Sequence, residues 1–234
     1  MLELISNNII WIYLVLEVLA AMTGLIFFSK YKHTVAKYFV YFLIYIVVFN
    51  VIGIYTIFVK NNGFLSFLDN TLLEKNYWWY TLCWSILSVA FYGWYYFKIL
   101  ENINHKKLLK FSLYIFLFYS VFVIIFNWKQ FFNAGFVSIK VFGGIIILQC
   151  VFYYFLEILQ SDKILTFYKS LNFYITCSIL ISWLVQTPLV FFEHYFGLLD
   201  MDYVNLKYFI DLIVITFMYL SFTIGIIVSN PDYD

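Results

Sequence analysis

The chain has 234 residues, of which 65% are hydrophobic, 25% aromatic and 12% charged, with a formal net charge of +1. A soluble domain carries about 25% charged residues, so this composition excludes an ordinary soluble fold and points to a membrane protein. Near-neutrality gives no reason to expect nucleic acid or another strongly anionic partner.

The first eight residues hold Glu3 and no lysine, so the basic n-region of a secretory signal is missing, and the first apolar run is longer than an h-region. It is expected to be a retained helix. Seven runs, each long enough to span, are predicted at 9–29, 38–59, 77–97, 109–127, 134–156, 171–192 and 208–229. The connections are short and carry most of the charge, with no Gly/Ser-rich or Pro-rich linker, no low-complexity tract and no heptad seam. The expected fold is therefore all-α: one polytopic transmembrane bundle over residues 1–234, without a second domain.

All fourteen basic residues other than histidine are lysine. This fits an AT-rich bacterial genome, and it leaves no guanidinium fork to grip a phosphate or carboxylate. Lys30, Lys32, Lys37, Lys98, Lys106, Lys107, Lys110, Lys163 and Lys169 follow the odd-numbered runs, whereas Lys60, Lys75, Lys129 and Lys207 lie on the other side. The excess of lysine on one side predicts a cytoplasmic face there, an outside N-terminus, a cytoplasmic C-terminus and residence in the cell inner membrane. Trp11, Trp78, Trp79, Trp94 and Trp128 near the run ends fit interfacial belts. Cys83, Cys150 and Cys177 fall inside runs, without CxxC spacing, and read as small buried apolar residues. Pro188 is the one proline inside a run, where it can kink the helix and free a carbonyl near Leu184.

The polar residues inside the runs carry the functional reading. A charge there costs roughly 2.5–3.5 kcal/mol on insertion scales, so it needs a partner or a job. At 1.5 Å of rise per residue, Asp211, Lys140, Gln186, Glu17 and Asn50 lie about 5–13 Å in from the outer ends of five different runs, with Gln149 deeper. Glu193 and His194 stand just above, at the outer end of the sixth run. One reading is an outward-facing polar pocket in which Lys140 pairs with Glu17 or Asp211, leaving one negative charge for a proton, a cation or an amine. The other is a polar cluster that glues helices together, each contact contributing about 0.6 kcal/mol. The aromatic run YWWYTLCWSILSVAFYGWYYF allows a ligand cage or plain packing with interface anchoring.

The chain has no HExxH, no GxSxG, no Gly-rich phosphate loop and no paired His or Cys. No catalytic residues, metal ligands or cofactor are expected. Seven helices with an Asp in the last invite comparison with microbial rhodopsins. That family carries retinal on a lysine one turn after the Asp, and here Ile215 stands one turn after Asp211. The opening segment LEVLAAMTGLIFFSKYKHTVAKYFVYFLIYIVVFNVIGIY, with a mid-run acid followed by KYK and KYF around the first inner loop, resembles small uncharacterised seven-helix bacterial integral membrane proteins. That resemblance implies a fold and no activity. Three roles stay open. One is a sensor or accessory subunit that signals through a separate membrane or cytoplasmic protein; another is a small-molecule or ion transporter using the same pocket; the third is a scaffold of a membrane complex.

Overall fold

A computed structural model describes residues 2–59, 63–196 and 201–233, the side chains of 2–7, 190–196 and 201–202 excepted. The described residues are all-helical, with no strand. Seven long elements follow one another: α1 Leu2–Ile26, α2 Ala36–Gly53, α3 from Tyr77 to Ile99, α4 Ile103–Phe126, α5 Val137–Leu159, α6 Leu171–Phe196 and α7 Met201–Val228. Short helical turns such as Phe28–Tyr31, Thr56–Val59 and Trp128–Asn133 fill the connections.

Five stretches are long and apolar enough to cross a membrane: Asn8–Ile26, Ala36–Val59, Ile103–Phe126, Val137–Leu159 and Tyr203–Val228. The two other long elements fall outside that set for visible reasons. In α3 a π-helical segment, Thr81–Ile86, separates Tyr77–Tyr80 from Leu87–Ile99, so no regular stretch is long enough. The described part of α6 carries Asn172, Thr176, Ser178, Ser182, Gln186 and Thr187 along its length, and the helix continues through Pro188 to Phe196. The extra residue in the π turn leaves backbone carbonyls without their usual helical donors. One of them, Cys83 O, accepts hydrogen bonds from the Tyr45 hydroxyl at 2.8 Å and from Ser88 Oγ at 3.4 Å.

The helices begin and end where local chemistry allows. In α4 the start lies six residues before the predicted run, because Asn102 Oδ1 accepts from Asn104 N–H at 2.8 Å. Glu157, reaching from α5, accepts the N–H groups of Glu101 and Asn102 and contacts His105 Nδ1 at 2.9 Å. His105 thus lies in the first turn of α4, stacked on Tyr153. At the C-terminal end of α7, the orphan carbonyls of Ile226 and Ile227 are met by Lys30 Nζ and the Tyr31 hydroxyl, the cation at the negative end of the helix dipole.

Packing orders the elements as a ring. α1 lies between α2 and α7, α6 between α7 and α5, α3 contacts α5 and closes back on α2, and α4 sits in the outer groove between α3 and α5. The outside is apolar: Phe118 is 75% exposed and Phe126 71%, with Phe111, Tyr114, Val121 and Ile125 beside them. The inside holds Glu17, Ser85, Ser88, Asn172, Thr176 and Ser182, all buried. Polar groups inside and apolar groups outside are the inverse of a soluble domain, which places this surface against hydrocarbon in a multi-pass membrane protein.

Candidate functional site

Helical periodicity aims one face of each of five elements at the centre of the ring. From α1 come Ile10, Tyr13, Leu14 and Glu17, spaced at i, i+3, i+4 and i+7. From α6 come Ile179, Ser182, Trp183 and Gln186 at the same spacing. α2 contributes Phe49 and Asn50, α3 contributes Tyr80, Trp84 and Tyr92, and α7 contributes Ile215, Met218 and Tyr219. Together they enclose a cavity of about 340 Å³.

Glu17 organises this cavity. It is 6% exposed, and one carboxylate oxygen, Oε1, accepts from Asn50 Nδ2 at 2.9 Å and from the Tyr219 hydroxyl at 3.3 Å. The other oxygen, Oε2, has no hydrogen-bond partner. The Tyr13 hydroxyl and Ser182 Oγ are likewise buried without a partner. These are all of the unsatisfied buried side-chain atoms among the described residues, and all three belong to residues lining this one cavity. Buried polar atoms are rarely left unsatisfied, because each forfeits about 1–3 kcal/mol of hydration. All three therefore mark this cavity wall as the place where the described residues leave polar groups unmet.

A second cavity of about 220 Å³ adjoins the first and shares Trp84, Trp183, Gln186 and Ile215 with it. Lys140 of α5 and Asp211 and Lys207 of α7 line it, with Ser85 and Thr187. Of the two carboxylates expected to face Lys140, Asp211 shares its cavity, whereas Glu17 takes its hydrogen bonds from Asn50 and Tyr219.

The sequence-selected residues are therefore divided. Glu17 and Asn50 stand in the first cavity, Lys140 and Asp211 in the second, and Gln186 on the boundary of both. The side chains of Glu193 and His194 lie outside the described residues. Gln149 points elsewhere, donating to the Tyr153 hydroxyl on its own helix at 3.2 Å. Residue-type reasoning left Tyr13, Ser182 and Tyr219 out of the candidate site. Each stands three or four residues, or a multiple of a turn, from a polar residue already singled out: Tyr13 from Glu17, Ser182 from Gln186, Tyr219 from Asp211. That spacing was the available signal.

The aromatic run of α3 serves two purposes. Tyr80, Trp84 and Tyr92 line the first cavity, whereas Tyr95 and Tyr96 are fully buried and bond to Asn172 and Thr176 of α6. Among the tryptophans placed at run ends, Trp11 and Trp128 are exposed, but Trp79 Nε1 donates to Phe49 O and Trp78 Nε1 to the Tyr55 hydroxyl. Those two tie α3 to the end of α2.

Toward the lysine-rich end the bundle is filled apart from a cavity of about 40 Å³ beside Lys163 and Asn172. Phe39, Phe222, Tyr31, Tyr95 and Tyr96 are fully buried there, and the Tyr31 hydroxyl meets Ser229 Oγ at 2.7 Å. The first cavity instead extends toward Ile10 and Ile54, at the opposite ends of α1 and α2. Among the described residues no group of three or more His, Cys, Asp or Glu could hold a metal ion. Comparison with protein-family models, with curated proteins and with solved structures gives no match for this chain.

Proposed function

We propose that this chain is a seven-span inner-membrane protein, N-terminus outside and C-terminus cytoplasmic, that binds a small ligand in the Glu17 cavity from the outer side. It passes the event to a separate protein as a sensor or accessory subunit. The observation that carries this reading is the convergence of three unsatisfied buried polar atoms on one cavity. Supporting it, the nine lysines that follow odd-numbered runs and the filled half of the bundle fall at the same end. A sealed inner half suits binding without passage.

The signal has a ready carrier. Trp84 belongs to the π segment of α3 and lines both cavities. A π turn carries one residue more than an α turn, an irregularity frequent at functional sites. A ligand pressing on Trp84 would shift α3 along its axis and move its Lys98 end, where a partner would read the change.

The second reading is transport, favoured by Pro188 in α6, a kink-prone position between Thr187 and Leu189, which line the second cavity with Trp84. Purified protein in liposomes separates the two. Saturable binding without uptake is the expected result. Ligand uptake by the protein alone, lost on closing the cavity with Ser182→Trp, would establish the transporter reading instead.

A further inference from the structure

The chemistry of the cavity wall narrows the ligand. Among the described residues around the first cavity, Glu17 is the single carboxylate, and no lysine joins it. A carboxylate taken out of water is costly unless a charge or several donors face it. Here Oε1 is met by two neutral donors, and Oε2 by none. Asn50 has already committed its amide nitrogen to Oε1. An anionic ligand would oppose ionisation of Glu17, whereas a cation would supply the counter-charge that its buried carboxyl lacks.

A hard metal ion fits poorly. Calcium takes six to eight oxygen ligands and magnesium a near-octahedral set, whereas most of this wall is aromatic or aliphatic: Phe49, Trp84, Tyr92, Trp183, Ile215 and Met218. An organic cation fits on three counts. Oε2, the Tyr13 oxygen and Ser182 Oγ are unpartnered oxygens on residues of this wall, as many as the N–H donors of a primary ammonium. The faces of Trp84, Trp183 and the tyrosines attract a cation. The apolar remainder of the wall takes a hydrocarbon body. A quaternary ammonium offers the charge without the donors and would leave the three oxygens unsatisfied.

We propose that the Glu17 cavity binds a primary organic ammonium with an apolar or aromatic body, its nitrogen held by Glu17, Tyr13 and Ser182 between the rings of Trp84 and Trp183. This rests on the ligand-binding reading above and specifies its ligand.

The test uses the full chain in lipid nanodiscs and four probes of similar body: 2-phenylethylamine, trimethyl(2-phenylethyl)ammonium, 2-phenylethanol and 3-phenylpropanoate. Binding is followed by tryptophan fluorescence and by the shift in unfolding temperature, a non-saturable response counting as no binding. The expected result is saturable binding of 2-phenylethylamine, at least tenfold tighter than any of the other three. Glu17→Gln, which keeps the side-chain shape, should weaken it at least tenfold. Ser182→Ala, a smaller change that spares the carboxylate, should weaken it several-fold and serves if Glu17→Gln fails to fold. Equal binding of the amine by wild type and both variants would overturn the proposal. So would tighter binding of the alcohol, the acid or the trimethyl compound, which would leave ligand binding in the cavity standing but the ligand class wrong. Binding of none of the four would count against this site and against the ligand-binding reading together.

Discussion

At the scale of single residues, Glu17 shows how a carboxyl group can sit inside an apolar ring of helices. Asn50 and Tyr219 hold one of its oxygens, and the other has no hydrogen-bond partner. Asn50→Leu removes the shorter of the two hydrogen bonds and should destabilise the fold by about 1.5–3 kcal/mol, the range for a hydrogen bond to a charged group. The double variant Glu17→Leu/Asn50→Leu should recover much of that loss, because it also removes the desolvation cost. Chemical unfolding in nanodiscs checks both: no loss in Asn50→Leu would mean the pair contributes nothing, and equal losses in the single and double variants would mean that an unpaired Glu17 carries no desolvation cost. Outside the spans, the lysine-rich end offers a pH test. Lys163 Nζ donates to Glu101 Oε1 at 2.7 Å, and that hydrogen bond, followed by the lysine charge, holds the Glu101 carboxyl below its ordinary value. A carboxyl depressed in the fold contributes stability above its unfolded pKa and loses it as pH falls through the folded value. The pair is solvent-exposed, so the contribution is small. Lys163→Ala should return the Glu101 titration upward to the usual carboxylate range, as read by carboxyl-carbon NMR; an unmoved titration would show the contact to be inconsequential.

At the scale of elements, α3 is the helix whose regularity is interrupted, and the interruption is satisfied by a neighbour. The Tyr45 hydroxyl of α2 donates to Cys83 O within the π segment. Tyr45→Phe would leave that carbonyl without its strongest donor, at a cost of about 1–3 kcal/mol. The expected outcome is a lower unfolding temperature together with a changed Trp84 emission as the segment reverts toward α-helical winding. Unchanged emission would show that Tyr45 does not hold the π turn. Helix contacts elsewhere depend on small residues. A Cβ on Gly225 of α7 would stand 2.7 Å from Tyr174 Cβ of α6, an atom fixed to the backbone. Because close approach through small residues stands in for the hydrophobic effect between membrane helices, Gly225→Ala should force α6 and α7 apart and destabilise by about 1–3 kcal/mol, measured by unfolding in nanodiscs.

At the scale of the whole molecule, the inverted distribution of polarity governs behaviour. Glu17 is 6% exposed while Phe118 is 75% exposed, so the bundle offers water little and lipid much. Orientation then follows from charge. The ends of α1, α3, α5 and α7 meet at one face, where Tyr31 contacts Ser229, Tyr95 contacts Asn172 and Glu157 contacts Asn102. With that face cytoplasmic, a C-terminal reporter that works only in the cytoplasm should be active and a periplasmic reporter silent; the reverse pattern would invert the proposed topology.

The sequence by itself determined the membrane class, the order of the long helices and the side on which lysines gather. Each of these depends on the summed hydropathy and charge of tens of residues and not on any one neighbour. It also picked out Glu17, Asn50, Lys140, Gln186 and Asp211, because a polar group in an apolar run is conspicuous wherever the helix packs. Helix ends shifted by several residues, since caps such as Asn102 and bracing groups such as Glu157 and Lys30 come from side chains that hydropathy does not read. Only the tertiary structure decided which polar residues meet. It set Glu17 with Asn50 and Tyr219, gathered Lys140, Lys207 and Asp211 around a separate cavity, and left Tyr13 and Ser182 facing the same space as Glu17. Those pairings depend on the rotation of each helix about its axis and on the ring order of the bundle. Near-uniform apolarity around each helix leaves that rotation undetermined until the neighbours are in place.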